Sequence, residues 1–130
     1  MKKKIVIFSG SRADYGLLKN IIKCLKTKAN IKLCCGPQHF SKKFNNTFKE
    51  VLKEQKKIDL RIKSTIKKTN MNEVLNIISK TSKVLNNFFD NIKPDLLILL
   101  GDRYEVFAAA YTSYLKNIPI AHIHGGEITE

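Results

Sequence analysis

A chain of 130 residues with 43% apolar and 27% charged side chains is long enough to hide one core and too apolar to stay disordered. Its longest apolar run, Leu96 to Leu100, is far short of the roughly 20 residues of a membrane span, and the basic "MKKK" start meets only four apolar residues before Ser9, which argues against a secretion signal. The net charge of +13 raises nucleic-acid binding, but the lysines are scattered over helix faces and turns with no aromatic platform between them, so no nucleic-acid partner is expected.

The first predicted element is a short buried strand, Ile5 to Phe8, closed by the turn "SGSRADYG". A brief continuous apolar run suits a parallel strand covered on both faces. A helix is predicted from about Asp14, with Leu17, Leu18, Ile21, Ile22 and Leu25 as its apolar stripe. "IKLCCG" reads as the second strand. Ser41 can then cap a helix whose inner face holds Phe44, Phe48, Val51 and Leu52, and "KIDLRIK" alternates as an outer strand does.

After a lysine-rich turn, Met71 to Ile92 carries Val74, Ile77, Ile78, Thr81, Leu85, Phe88 and Phe89 in helical register until Pro94 forbids continuation. "DLLILL" reads as the central strand, "GDRYEVFAAAYTSYLKN" as a turn into an Ala-rich helix, and "IPIAHIHGGE" as a last strand with its trailing loop. Strands alternating with helices predict one α/β domain over residues 1–130, a doubly wound parallel sheet of the Rossmann-like class.

Ligands of such sheets bind beyond the carboxyl ends of the strands, and the unusual residues fall there. Gly10 and Ser11 sit at a turn whose backbone N–H groups could hold an anion, with Arg12 able to grip a phosphate; the same stretch is equally a tight turn with a surface Arg and Asp14 as helix cap. Asp102 leaves its strand as a general base or as a helix cap, with Arg103 beside it and Glu105 placed for a capping box. His122 and His124, two apart, would share a strand face, and Gly125 and Gly126 let the backbone turn before Glu127. Two histidines and a carboxylate make a weak metal signal, so no metal and no cofactor are expected. A cation with two carboxylates from three strand ends suggests acid/base chemistry on a nucleotide-linked substrate.

"GSRADYGLL", "PDLLILLGDRYEVFAAA" and "IPIAHIHGGEIT", in this order, resemble the amino-terminal part of the UDP-N-acetylglucosamine 2-epimerase family, the "SRADYG" form resembling its hydrolysing branch. The resemblance implies the N-terminal half of a GT-B architecture, with the second, nucleotide-binding domain having no counterpart in residues 1–130. It implies release of N-acetylmannosamine and UDP through a 2-acetamidoglucal, for sialic or related nonulosonic acids. Asp102 and Glu127 become the catalytic acid/base candidates. Gly10, Ser11, Arg12, Arg103, His124 and the less securely aligned His39 become the substrate-binding set. The implied partner is UDP-GlcNAc or a relative such as the diacetylated bacillosamine nucleotide. The complete enzyme could form a homo-oligomer, in the cytoplasm, where Cys24, Cys34 and Cys35 would be buried free thiols. A basic nucleotide- or nucleic-acid-binding module is the alternative.

Overall fold

In β1 (Lys4–Ser9), Ile5 to Ser9 are all buried because both faces of the strand are covered beyond the exposed Lys4. The computed structural model describes residues 1–64, 70–126 and 128; Glu127 and most of the lysine-rich turn after the third strand lie outside the described residues. Ile5 and Ile7 pack into one apolar cluster with Leu18 and Ile22 of α1 (Arg12–Leu25) and Val51 of α2 (Phe48–Gln55). Val6 and Phe8 face the other way, against Leu85 and Phe89 of α3 (Met71–Ile92) and Val106 and Ala109 of α4 (Tyr104–Leu115). Helices on both sides of a sheet are thus dictated by the alternation within one strand.

The five strands are parallel in the order β3-β2-β1-β4-β5, with β2 at Asn30–Cys35, β3 at Leu60–Arg61, β4 at Leu96–Leu100 and β5 at Ile120–Ile123. The predicted doubly wound Rossmann-like fold is the one present. The centre is β1, flanked by β2 and β4, rather than the expected "DLLILL" strand.

Helix α1 starts two residues before the expected Asp14. Ser11 is extended and its hydroxyl accepts the Asp14 amide at 3.3 Å, so Ser11 caps and Asp14 falls in the first turn. The buried stripe is Tyr15, Leu18 and Ile22, whereas Leu17 is exposed. The helix expected from Ser41 begins only at Phe48, after two 3₁₀ turns at Pro37–Phe40 and Lys42–Phe44. Asn45 and Asn46 are both left-handed (φ 60° and 48°), and consecutive residues of that hand cannot continue a right-handed helix. Phe44 is consequently left half-exposed, under the Lys43 ammonium.

Helix α3 matches its predicted span. Asn70 caps it by accepting the Glu73 amide at 2.9 Å, Ile77, Thr81, Leu85 and Phe89 form its buried row, and left-handed Lys93 ends it ahead of Pro94. Ala108 and Ala109 of α4 are wholly buried, the small side chains letting that helix lie close to the core. Cys34 and Cys35 are buried as expected, and burial pushes the Cys35 thiol up to about 12; Cys24 instead lies exposed on α1. Among the described residues no helix is long and apolar enough to cross a membrane.

Candidate active site at the sheet switch point

The strand order reverses between β1 and β4, so their crossovers leave on opposite sides of the sheet and open a crevice beyond their carboxyl ends. Gly10 and Ser11 enter it from β1, and Gly101, Asp102 and Arg103 from β4. Gly101 adopts φ +81°, a conformation that costs a side-chain-bearing residue about 1 kcal/mol or more. The chain thereby swings out, and Arg103 rather than Asp102 becomes the N-cap residue of α4, with no side-chain cap bond. Asp102 is exposed and makes no hydrogen bond or ion pair among the described residues, so of its two readings the helix cap is excluded.

Glu105 does not form the expected capping box, because it is the second helical residue and not the third. It is 2% exposed, and its Oε2 lies 3.7 Å from Arg103 Nε. Across the crevice floor sits Asp14. A Cβ placed on Gly10 would lie 2.9 Å from Asp14 Oδ2 and 3.5 Å from Arg103 Cδ, so glycine is what lets these side chains close over the β1 turn. Burial raises the Asp14 pKa; the Ser11 hydroxyl, the Arg103 cation and the backbone amides of Gly10 and Ser11 pull in the opposite direction without cancelling it.

Arg12, expected in the crevice, reaches the other way. Its Nε donates to Glu50 Oε2 of α2 at 2.8 Å, and both side chains are largely exposed. An exposed pair of this kind contributes about 0 to 1 kcal/mol. Glu50→Gln is therefore expected to change the unfolding free energy by less than about 1 kcal/mol, with the difference fading in high salt, as urea titrations at two ionic strengths would read. The Arg12 side chain would be freed at little cost.

His39 is fully buried behind the β1 turn. Its Nε2 lies 2.8 Å from Ser9 Oγ and its Nδ1 3.0 Å from Thr47 Oγ1, so both ring nitrogens are engaged inside the protein. In this arrangement the ring fastens the first 3₁₀ turn to the end of β1 and the start of α2. Burial alone lowers its pKa to about 4, which keeps it neutral. Tyr15 adds a second tie, donating to Glu54 Oε2 at 2.9 Å and accepting from Gln55 Nε2 at 2.8 Å.

His122 and His124 do not share a strand face. Strand β5 ends at Ile123, and His124 is left-handed at φ 53°, turning the chain out of the extended path. His122 Nε2 donates to the Gly101 carbonyl at 2.7 Å, tying the β5 end to the β4 turn. Gly125 packs directly on this ring, a Cβ there falling 2.2 Å from His122 Nδ1, and Gly126 is left-handed at φ +78°. Among the described residues no three His, Cys, Asp or Glu side chains gather as a metal site would require.

The sequence profile of the family described as UDP-N-acetylglucosamine 2-epimerase matches residues 23–130. The chain belongs to that family. The polysialic acid biosynthesis protein P7 of Escherichia coli is 33% identical over 129 residues, taking in 98% of this chain and 33% of that protein. The UDP-N,N'-diacetylbacillosamine 2-epimerase (hydrolyzing) of Legionella pneumophila is also 33% identical over 129 residues, with 98% and 34% coverage. Among solved structures, a UDP-N-acetylglucosamine 2-epimerase superposes with a TM-score of 0.82 at 21% identity, over 99% of this chain and 35% of that one. The UDP-GlcNAc 2-epimerase of Neisseria meningitidis bound to UDP-GlcNAc does so with 0.78 at 24%, over 95% and 32%. The chain spans about a third of the length of the curated relatives it matches.

Within this epimerase-family fold, the crevice offers at its lip the Asp102 carboxylate, which has no partner among the described residues, above a floor where Arg103 lies 3.7 Å from buried Glu105 and close to half-buried Asp14. An acid free of internal partners on the end of a rigid strand can take up or give a proton without disturbing the fold. Asp14, Glu105 and the Ser9 and Thr47 partners of His39 were not singled out as site residues from sequence. The close approach required at Gly10, followed four residues on by an acid in the first turn of a helix, was the signal available for Asp14.

Proposed function

We propose that this chain is the N-terminal half of a hydrolysing UDP-GlcNAc 2-epimerase of GT-B architecture. The observation that carries the reading is the Asp102 carboxylate, without a partner among the described residues, at the β1/β4 switch point of a chain in this family. In the reaction, UDP leaves C1 of the sugar as a proton is lost from C2, giving a 2-acetamidoglucal; water then adds at C1 and C2 regains a proton on the opposite face, giving N-acetylmannosamine. Two faces need two proton-handling groups. Asp102 is one and Glu127 the other. Backbone amides at Gly10 and Ser11 face the departing diphosphate, Arg12 meets it after leaving Glu50, and His124 orients the sugar or Glu127. The reaction takes place in the cytoplasm and requires the second domain, so residues 1–130 alone turn over little or no substrate.

The UDP-N,N'-diacetylbacillosamine nucleotide is the second candidate substrate, favoured by hydrolysing relatives of that name at 33% and 32% identity. The experiment supplies each sugar nucleotide separately to a complete enzyme carrying this domain and measures UDP release. Release from UDP-GlcNAc supports the main reading, release from the bacillosamine nucleotide alone supports the second, and none from either defeats both. Oligonucleotide binding that weakens steeply with salt would favour the basic binding module instead.

A further inference from the structure

Lys42, Lys43, Arg61, Lys63 and Lys80 converge on one open cavity of about 600 Å³, and among the described residues no acid lines it. The cavity lies at the β3 edge of the sheet and shares no residue with the β1/β4 crevice. Lys42 and Lys43 come from the second 3₁₀ turn after β2, Arg61 from the end of β3 and Lys63 from just beyond it, while Lys80 belongs to α3 on the opposite face of the sheet from α2. Only the fold assembles this set.

The apolar part of the lining is a pair of phenyl rings. Phe40 and Phe48 stack with their centroids 5.1 Å apart, and the Arg61 guanidinium lies over the Phe48 ring, 6.0 Å from its centroid. A guanidinium seated on an aromatic face is held in place while its charge stays uncompensated. Like charges around a concave surface repel one another, a cost that a bound anion removes. None of the five cations takes part in an ion pair among the described residues, whereas Lys19, Lys32, Lys57 and Lys116 all do.

We propose that this cavity binds a small polyanion built on a chain of three or more linked phosphates, either free or carried by a nucleotide whose base lies against the phenyl pair. The Arg61 fork can take two phosphate oxygens at once, and the four ammonium groups supply point charges along the rest of the chain. Charge sets the length. A lone phosphate, or the diphosphate diester of a sugar nucleotide, carries roughly two negative charges and leaves most of the five cations unanswered, whereas a triphosphate carries roughly four. The site is independent of the reaction assigned to the crevice, so its test is binding and not turnover.

Calorimetric titration of sodium tripolyphosphate into the chain of residues 1–130, free of divalent metal and in about 50 mM salt, should saturate with a Kd below about 1 mM and weaken in about 200 mM salt as screening tightens. Arg61→Gln and Lys80→Gln, at exposed positions on different elements, should each weaken binding about three- to tenfold. Lys23→Gln removes the same charge from an exposed site on α1 outside the cavity, and should leave binding within about twofold. ATP separates the two sources of the phosphate chain. Binding no tighter than that of tripolyphosphate supports recognition of the chain alone, and binding about tenfold tighter supports a base on the phenyl pair as well. Three results would overturn the proposal: no saturation by about 1 mM tripolyphosphate, a loss in Lys23→Gln equal to that in the cavity variants, or inorganic phosphate binding as tightly as tripolyphosphate.

Discussion

Asp102→Asn in the complete enzyme is expected to lower UDP release by about 10² to 10⁴-fold, the usual contribution of a positioned proton-transfer group. The substitution keeps size and shape and removes the ability to exchange a proton. Because Asp102 has no partner among the described residues, no internal bond is broken, and the unfolding free energy should move by no more than about 0.5 kcal/mol. A large loss of rate with unchanged stability is the signature of a chemical role. Glu127→Gln should behave likewise if the second face of the sugar is its responsibility. Should both variants keep turnover within about threefold of wild type in a UDP-release assay, the acid/base assignment fails.

His39 is expected to make the domain sensitive to acid. In the folded chain its pKa is lowered to about 4 from the ordinary 6.5, with burial as the cause. A histidine whose folded pKa is depressed favours folding fully above the unfolded pKa and loses that contribution as pH falls toward the folded one, because the unfolded chain takes up the proton first. Between about pH 8 and about pH 4 this one ring removes about 3 kcal/mol of stability. His39→Gln keeps a hydrogen-bonding side chain that does not titrate. Denaturant titrations across this range should show the variant less stable at neutral pH but flatter toward acid; parallel curves for the two proteins would remove the histidine from the account. His39→Ala leaves Ser9 and Thr47 without their ring partner, at about 1 to 3 kcal/mol for each orphaned group, and should be the less stable variant throughout.

How much of this was readable beforehand depended on whether the deciding contact was local. Strands β1 and β4 announce themselves because burial on both faces leaves an unbroken apolar run, and α3 because its apolar residues recur in helical register until Pro94. The start of α1 was misplaced because Ser11 and Asp14 are both competent caps, and only the extended backbone of Ser11 decides between them. Two adjacent asparagines can sit in a helix or in a left-handed turn, and Asn45 and Asn46 took the turn. The order of the strands has no local signature at all, which is why the central place was assigned to β4 instead of β1.

The site divides in the same way. That Gly10, Ser11, Asp102 and Arg103 meet at strand ends follows from alternation of strands and helices. The partner of Arg12 lies 38 residues away, and the pocket that encloses His39 is built from Ser9 and Thr47, which flank it in the fold and not in the chain. Pairings of that kind are decided by tertiary packing.

The contact of Gly125 with the His122 ring makes the turns after β4 and β5 mechanically interdependent. Any side chain at position 125 would have to push the imidazole aside, since even a methyl group would stand about 2.2 Å from Nδ1, and the displaced ring would release the Gly101 carbonyl. The turn after β5 and the turn after β4 would then lose this tie. A glycine without any chemistry of its own thus acts as the spacer that keeps the ends of β4 and β5 in register.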